Sequence, residues 1–240
     1  MSSFEEACRP VIFEQEHAEF PYGVKGSSFL IANSHAYYWV TAAHVLSNMG
    51  GSVQSVRIFP SDHSRISLPF NEQYTITKGL ADDEDYKDVF VLRIDLERFA
   101  DSGDAPLVAQ DLDQGIWLAE DLTPGSELWV IGYPSESNFV DYYAERISNT
   151  RSVLRAVYQG PSIMDHCHEL RVESSVRLES YDGLSGSPVF HMRPKLSDGR
   201  TRLYPLLVGM VIRGTASSSI AHFVSSKIIV NVIVKAENNA

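Results

Sequence analysis

Residues 183–188 read GLSGSP, a stretch in which one serine, Ser185, stands between two glycines. This stretch is interpreted together with two upstream features, the sequence TAAH at residues 41–44 and the aspartate Asp88. The chain order is thus histidine, aspartate, serine, with 44 positions from His44 to Asp88 and 97 from Asp88 to Ser185. A serine hydroxyl is a weak nucleophile at neutral pH, because it needs a nearby base and a third group that orients the base. We predict that these three residues supply the nucleophile, the base and the orienting group.

The local sequence around the histidine and the aspartate suits those roles. His44 follows the β-prone run YYWVT at residues 37–41. Asp88 precedes the apolar run VFVL at residues 89–92, which predicts a buried strand. The neighbouring Asp85 is the alternative orienting group, and the buried run directly after Asp88 favours Asp88.

The two glycines beside Ser185 meet a further requirement of this chemistry. N–H groups must point at the oxygen that becomes negatively charged during the reaction. Glycine allows a sharp turn and leaves its N–H accessible, because it has no Cβ. Gly183 and Gly186 therefore predict a tight turn that presents N–H groups beside the serine.

The whole chain has the composition of a β-rich protein. Its 240 residues are 44% hydrophobic and 10% aromatic, and short strand-like runs alternate with turn residues. This pattern predicts an all-β fold built as a sandwich or a pair of barrels. Near the C-terminus, the apolar residues have the spacing of one helix face, although their Ile and Val content leaves a strand open. They are Ile228, Ile229, Val232 and Ile233.

Charge and cysteine content exclude several classes of function. A net charge of −11 argues against nucleic-acid binding and against docking on an anionic membrane. Two cysteines, Cys8 and Cys167, cannot build a disulfide framework, and the N-terminal sequence lacks the features of a signal peptide. We therefore predict a cytoplasmic protein with free thiols that needs no metal and no cofactor.

Two further motifs are interpreted as structural. The stretch DHCH at residues 165–168 contains His166 and His168, which would share one face of a strand, but no third metal ligand is near in sequence. We expect both histidines to serve at the surface or in packing, and Cys167 between them to be buried. The acidic stretch ADDED at residues 81–85 is interpreted as a solvated loop tip.

Together these motifs resemble the chymotrypsin-like (trypsin-like) serine peptidases, and most of all their bacterial branch without disulfides. The resemblance also includes GSSFLI at residues 26–31, VIGYP at 130–134 and VGMV at 208–211. It implies two six-stranded Greek-key β-barrels, packed face to face, and a C-terminal helix. The implied parts are a first barrel with the histidine and aspartate, a linker, a second barrel with the serine, and a C-terminal helix and tail, at residues 1–100, 101–112, 113–224 and 225–240.

The resemblance implies a serine endopeptidase whose substrates are proteins or peptides. Ser185 would attack the scissile carbonyl, His44 would carry the proton and Asp88 would hold the imidazole. The backbone N–H groups of Gly183 and Ser185 would form the oxyanion hole. Leu184 stands where members activated by N-terminal cleavage carry an aspartate, so activation of that kind is not expected.

The resemblance also implies a substrate pocket. Glu179, six positions before Ser185, would lie at its floor and favour Lys or Arg at the cleaved position. The other walls would be formed by Val211, Ile212, Arg213, Gly214, Ala221 and Phe223.

Two hypotheses accompany this prediction. A protein with the same fold and a degenerate cleft would be a catalytically silent pseudopeptidase that binds proteins, and the presence of all three predicted residues weighs against it. No peptide-binding domain is expected after the second barrel, and a protease of broad specificity would endanger the cell that contains it. We therefore also expect the activity to be gated by a partner protein or by assembly.

Overall fold

The computed structural model describes residues 4–47, 52–61, 64, 66–76, 85–100, 107–113, 115–173, 178–197 and 199–238. Of the acidic stretch at residues 81–85 only Asp85 is among them, so the prediction of a solvated loop tip falls outside the described residues. Residues 101–106 of the predicted linker also lie outside them.

Strands dominate both halves of the chain. Those of the first half are β1 (Cys8–Glu14), β2 (Tyr22–Ala32), β3 (Tyr37–Thr41), β4 (Val56–Arg57), β5 (Phe70–Thr75), β6 (Phe90–Ile94) and β7 (Gln110–Asp111). Those of the second half are β8 (Glu127–Gly132), β9 (Asn138–Asp141), β10 (Arg146–Asn149), β11 (Ser152–Pro161), β12 (Cys167–Val172), β13 (Pro188–Ser197), β14 (Arg200–Thr215) and β15 (Ile220–Ser225).

Helices are few and mostly short. The α-helices are α1 (Ala43–Ser47), α2 (Leu96–Ala100) and α3 (Ser226–Glu237). Single 3₁₀ turns lie at Phe4–Ala7, Val53–Ser55, Asp85–Lys87, Ala119–Asp121 and Ser135–Ser137.

The first half forms one sheet in the order β4-β1-β2-β3-β6-β5, and β7 adds to β2 in parallel. β3 is central, and Tyr38, Trp39 and Val40 are at most 1% exposed, because neighbouring elements cover both faces of the strand. The buried indole of Trp39 donates through Nε1 to Ser28 Oγ at 2.7 Å. β7 lies inside the predicted linker, so the described part of that linker contributes to the first sheet.

The second half closes into a six-stranded barrel in the order β11-β12-β15-β14-β13-β8. Its interior is filled by side chains that alternate along the strands, among them Leu128 and Val130 of β8, Leu154 of β11 and Phe223 of β15. The predicted all-β fold, with two barrel-like sheets and a C-terminal helix, is confirmed.

Helix α3 follows β15 and packs against the core that the first sheet contributes to. The four apolar residues that the sequence predicts on one helix face, Ile228, Ile229, Val232 and Ile233, are buried, and so are Ser226 and Ala236. The alternative of a strand is not formed. Near its C-terminus, Glu237 Oε1 accepts from Tyr38 Oη at 2.6 Å and from Asn33 Nδ2 at 2.7 Å. Within the described residues, no helix is both long and apolar enough to cross a membrane.

The DHCH stretch differs from the sequence-based expectation in one respect. His166 has a positive φ of 58° and is exposed in a turn, so that β12 begins only at Cys167. His168 is instead 4% exposed, and its Nδ1 lies 2.8 Å from Tyr158 Oη inside the barrel. The two histidines therefore do not share a strand face, while Cys167 is buried as expected.

Candidate active site

His44 and Asp88 meet because the strands beside them are neighbours. β3 and β6 pair antiparallel, with Thr41 opposite Phe90, so the end of β3 and the start of β6 lie side by side. The His44 Nδ1 atom lies 2.5 Å from Asp88 Oδ2, and the backbone N–H of His44 donates to Asp88 Oδ1 at 2.8 Å. Both carboxylate oxygens of Asp88 thus contact His44, and the imidazole keeps Nε2 available for a second partner.

Residues 181–187 form two consecutive tight turns, which we call the oxyanion loop. Leu184 N–H donates to the Tyr181 carbonyl at 3.1 Å, and Ser187 N–H donates to the Leu184 carbonyl at 2.9 Å. Gly183 and Gly186 occupy the third position of each turn, both with φ of +88°, a conformation that favours glycine.

The oxyanion loop leaves two N–H groups unused. Among the residues that the structure describes, the N–H groups of Gly183 and Ser185 donate to no protein acceptor. They belong to the pair of residues that the resemblance implies as the oxyanion hole. The arrangement can therefore offer two donors to an oxygen of a bound substrate.

Strand β2 and the end of β8 hold the oxyanion loop in place. The Ser27 hydroxyl donates to the Gly183 carbonyl at 2.7 Å and accepts from the Tyr133 N–H at 2.8 Å. Ser27 N–H donates to the Ser185 carbonyl at 2.8 Å, and Ser135 N–H donates to the Asp182 carbonyl at 2.8 Å. Sequence reasoning did not identify Ser27 or Tyr133 as site residues, although GSSFLI and VIGYP, the motifs that contain them, carried the resemblance.

The oxyanion loop is also packed too closely for larger residues. A Cβ at Gly186 would lie 1.9 Å from the Ser27 carbonyl oxygen, and one at Gly183 would lie 2.4 Å from the Tyr133 carbonyl oxygen. Leu184, which stands between them in the turn, is 2% exposed and belongs to the core of the second barrel. An apolar side chain therefore anchors the loop at this position.

The hydroxyl of Ser185 donates to the Ile212 carbonyl at 3.2 Å. A bulge in β14 between Val211 and Arg213 brings this carbonyl out of the regular ladder. Within the described residues, Ser185 Oγ makes no hydrogen bond to the imidazole of His44. Rotation about one side-chain bond carries such a hydroxyl between staggered positions, and catalytic hydrogen bonds often tighten only when substrate binds.

Glu179 lies at the rim of the second barrel. It is exposed, and it lines a cavity of about 500 Å³ together with Leu178, Ala216 and Ser217. Its backbone N–H donates to Glu136 Oε2 at 3.0 Å.

The other residues predicted as pocket walls lie in different surroundings. Val211, Ala221 and Phe223 are at most 2% exposed and belong to the barrel core. Gly214 faces the ring of Tyr181, whose Cδ2 would lie 2.9 Å from a Cβ at this glycine. Tyr181 was not identified from the sequence, and burial raises the pKa of its phenol.

Arg213 points away from the barrel and reaches the first half of the chain. Its guanidinium lies 2.9 Å from Asp85 Oδ2, in the 3₁₀ turn Asp85–Lys87 that directly precedes Asp88. In the same turn, the ring of Tyr86 contacts the ring of His166 edge-on, with 5.2 Å between centroids. Asp85, the alternative to Asp88 in the sequence analysis, thus pairs with Arg213 rather than with His44.

Comparisons with known proteins agree with this architecture. Among solved structures, the chain is similar to human heparin binding protein (14% identity, TM-score 0.57, covering 100% of this chain and 95% of that one). It is also similar to AL20, a thermostable serine protease from an extremophilic microorganism (13% identity, TM-score 0.56, 95% of each chain). A third similar structure is the inactive form of a serine-to-alanine mutant of Rv3671c from M. tuberculosis H37Rv (15% identity, TM-score 0.51, 97% of this chain and 87% of that one).

At these identities the solved structures show the fold alone, and no curated protein matches the chain. The family comparison goes further, because the model of the trypsin-like peptidase domain matches residues 26–196, which include the histidine, the aspartate, the serine and the whole oxyanion loop. The chain therefore belongs to the trypsin-like peptidase family and is a serine endopeptidase of the chymotrypsin type.

Proposed function

We propose that this endopeptidase works through a triad of His44, Asp88 and Ser185, with the N–H groups of Gly183 and Ser185 as the oxyanion hole. The observation that carries the proposal combines two features of the site. Asp88 holds His44 through its imidazole Nδ1 and its backbone N–H, and two N–H donors beside the serine are unused among the described residues. A nucleophile, an oriented base and a preorganised oxyanion site are what acyl transfer requires.

The proposed reaction uses each of these groups in turn. The Ser185 hydroxyl leaves the Ile212 carbonyl and turns to His44 Nε2, which takes its proton as the oxygen attacks the substrate carbonyl. Asp88 stabilises the imidazolium that forms, and the two N–H donors bind the oxygen that becomes negative. His44 then gives the proton to the leaving amine, and a water molecule, activated by the same imidazole, hydrolyses the acyl-enzyme.

A fluorophosphonate probe tests the nucleophile. The wild type should be labelled, and both Ser185→Ala and His44→Ala should lose labelling, because one lacks the attacking oxygen and the other lacks the base. Ser180→Ala is the matched control, since Ser180 lies before the same loop and its hydroxyl accepts a local hydrogen bond from Asp182 N–H. Labelling that persists in Ser185→Ala, or that is lost in Ser180→Ala, would contradict the assignment.

One observation favours the alternative of a silent pseudopeptidase. Ser185 Oγ is bonded to a carbonyl and not to the base, as in a site that is not poised for reaction. The alternative predicts no labelling of the wild type by the probe, with or without a bound peptide. The triad proposal predicts that the wild type is labelled and that a peptide bound in the cleft decreases labelling, because the peptide and the probe compete for Ser185 and the two N–H donors.

We also propose a preference for Lys or Arg at the cleaved position. Its support is an exposed carboxylate, Glu179, that lines a cavity of about 500 Å³. A cleavage-site profile should show Lys and Arg for the wild type and no such preference for Glu179→Gln. Asp182→Asn, which removes another exposed carboxylate close by in the chain, should leave the profile unchanged. A profile that is the same in all three proteins would exclude Glu179 as the determinant while leaving the triad untouched.

Gating of the activity and a cytoplasmic location belong to the same proposal. The bond from Ser185 to Ile212 supports a resting state that a partner relieves, and steady turnover of casein by the isolated protein would contradict it. The location is supported by two free thiols, Cys8 and Cys167, and burial raises the pKa of each to about 12. Recovery of the protein from a secreted fraction of its cells would contradict the location.

A further inference from the structure

The hairpin of β13 and β14 extends well beyond the second barrel. In the part of the chain that the structure describes, β13 pairs with β8 only at Val189 and Phe190, and β14 pairs with β15 only from Gly209 onward. Between these points, within the described residues, the two strands pair with each other, from Met192 opposite Pro205 to the tip. We call residues 192–205 the basic ribbon.

The basic ribbon concentrates positive charge in an acidic protein. Its sequence MRPKLSDGRTRLYP contains four cations and one acidic residue, whereas the whole chain has a net charge of −11. All four cationic side chains are exposed, and none pairs with a carboxylate among the residues that the structure describes. These are Arg193, Lys195, Arg200 and Arg202.

Strand pairing places the four cations on one face. Lys195 lies opposite Arg202, and Arg193 lies opposite Tyr204. Directly opposed residues share a face of a sheet, and so do residues two positions apart. Like charges in direct opposition destabilise a hairpin. The free protein is therefore less stable because of this arrangement, and an anionic partner would remove the repulsion.

Aromatic rings support two of these cations. The Arg193 guanidinium lies 4.4 Å from the centroid of the Trp117 ring, and the Lys195 ammonium lies 5.3 Å from that of Tyr204. These residues line a groove of about 670 Å³ along the base of the ribbon, together with Ile116, Pro194, Leu196 and Leu206. The cationic face is therefore partly ordered before any partner binds, which lowers the entropy lost on binding.

The opposite face of the ribbon is apolar and exposed. Leu196 is 74% exposed and Leu203 is 61% exposed. Charged side chains alone are a common protection of free strand edges against aggregation. Such protection does not explain the two exposed leucines on the face opposite the charges. A partner that contacts both faces of the ribbon explains them.

We propose that the basic ribbon is a docking site for an acidic polypeptide, whose Asp and Glu carboxylates bind the cationic face and whose apolar side chains pack on Leu196 and Leu203. A nucleic acid would use only the cationic face, and the acidic remainder of the chain would repel a long polyanion. β13 begins three residues after Ser185 and runs for 10 residues, so the ribbon lies roughly 30 Å along the strand from the nucleophile. The partner therefore docks outside the cleft, and the inference does not depend on the proposed triad.

Binding of a fluorescein-labelled peptide that is rich in Asp and Glu, with leucines at intervals, tests the proposal by anisotropy. All proteins carry Ser185→Ala, so that the peptide is not cleaved. The triple variant Lys195→Ser, Arg200→Ser, Arg202→Ser should bind at least about tenfold more weakly, because it loses three of the four cations. The control Arg146→Ser, Arg155→Ser, Arg171→Ser loses the same charge from exposed residues elsewhere and should stay within about twofold of the parent.

The leucines give a second, independent measurement. Leu196→Ser with Leu203→Ser should weaken binding by about threefold or more, and should leave its salt dependence unchanged, because the electrostatic contacts remain. Thermal unfolding of each variant checks that the barrel is intact.

Three results would overturn the proposal. One is no binding of the acidic peptide by the parent protein, and another is an equal loss in the two triple variants. The third is selective binding, through the ribbon, of a single-stranded oligonucleotide or of anionic vesicles in place of the peptide.

Discussion

Among single residues, Ser27 has the most direct influence on the shape of the oxyanion loop. Its buried hydroxyl connects the Gly183 carbonyl to the Tyr133 N–H, and its own N–H holds the Ser185 carbonyl. One small side chain thus links the first sheet to both the loop and the end of β8. We expect its removal to affect stability and catalysis together.

Ser27→Ala removes the hydroxyl that the partly buried Gly183 carbonyl and the buried Tyr133 N–H both contact. It should lower the free energy of unfolding by about 1–3 kcal/mol and lower kcat by about tenfold, because Gly183 is no longer held. Ser28→Ala is the matched control. Ser28 is equally buried and also makes two hydrogen bonds, to the Arg9 carbonyl and from Trp39, but neither involves the oxyanion loop. Urea unfolding and peptide kinetics should show similar losses of stability and a lower kcat only for Ser27→Ala.

His168 makes the stability of the second barrel depend on pH. The side chain is buried against Tyr158 and Phe223, and burial lowers its pKa below the ordinary value of 6.5, although Glu120 opposes this shift. The unfolded chain therefore binds the proton at a higher pH than the folded one. Above about pH 6.5 the stabilising contribution of neutral His168 should be complete. Below that pH the free energy of unfolding should fall as the pH drops.

Urea unfolding between about pH 7.5 and pH 5.5 measures this effect. His168→Gln, which does not titrate, should show a smaller fall than the wild type. His17→Gln, at an exposed histidine, should behave like the wild type. An identical fall in all three proteins would show that His168 is not responsible.

At the scale of the element, the oxyanion loop depends on glycine for two separate reasons. The first reason is the positive φ of Gly183 and Gly186. The second is that backbone atoms of other segments lie very close, since a Cβ at Gly186 would lie 1.9 Å from the Ser27 carbonyl oxygen. The motif GLSGSP allowed the turn to be predicted from the sequence. The crowding depends on β2, which is distant in the chain, and so the sequence did not reveal it.

Gly186→Ala should therefore cost more than an alanine at an open glycine. Gly125 is the matched control, because it has a φ of +93° and, among the described residues, no atom would lie within 4 Å of its Cβ. Gly125→Ala should lower the free energy of unfolding by about 1–2 kcal/mol, the cost of the backbone conformation. Gly186→Ala should cost at least about 2 kcal/mol more, because backbone must also move. Equal losses in thermal unfolding would mean that the loop accommodates the methyl group.

Helix α3 shows what the spacing of apolar residues can predict about a single element. The spacing of Ile228, Ile229, Val232 and Ile233 predicted one buried helix face, and that face is buried. The β-branched composition left a strand open, because local preference alone does not decide such a segment. Packing against the core shared with the first sheet decides it.

At the scale of the whole molecule, the two halves are joined next to Asp88. Arg213 of β14 pairs with Asp85, and the Asp88 N–H donates to the Asp85 carbonyl at 3.0 Å. The pair therefore connects the second barrel to the residue that holds His44. Both side chains are partly exposed, so the contribution of the pair to stability is small. We expect the pair to act mainly by positioning Asp88.

Arg213→Gln and Asp85→Asn should each lower kcat by about two- to fivefold, and the double variant should lower it no further, because all three lose the same contact. The coupling energy from urea unfolding should be about 0.5 kcal/mol and should decrease with added salt. Arg213 is one of the residues predicted to line the substrate pocket, and Asp85 is not. An equal loss of kcat in the two single variants would therefore show that the pair acts by positioning and not by contact with the substrate.

The pair Arg155 and Glu127 is the control for this cycle. It is similarly exposed, joins residues within the second barrel and lies away from Asp88 in the chain. Its variants should show a comparable coupling in stability and an unchanged kcat. Additive losses of kcat for Arg213 and Asp85 would contradict a shared role.

The sequence by itself determined which residue types are present for catalysis and their order along the chain. Histidine, aspartate and a serine between glycines could be read directly, because residue type, local strand preference and the φ demand of a turn are local properties. The resemblance to the family and the all-β class followed from the same local patterns, and so did the face of the terminal segment that is buried, although not the choice between helix and strand.

Only the tertiary structure decided which groups meet. The register of β3 with β6 brings His44 to Asp88 and leaves Asp85 to Arg213, and β2 supplies Ser27 to a loop more than a hundred residues away. The register of β13 with β14 places four cations on one face of the ribbon. Strand register and sheet order are long-range choices that a single sequence does not encode in any local pattern, because they depend on the packing of the whole core.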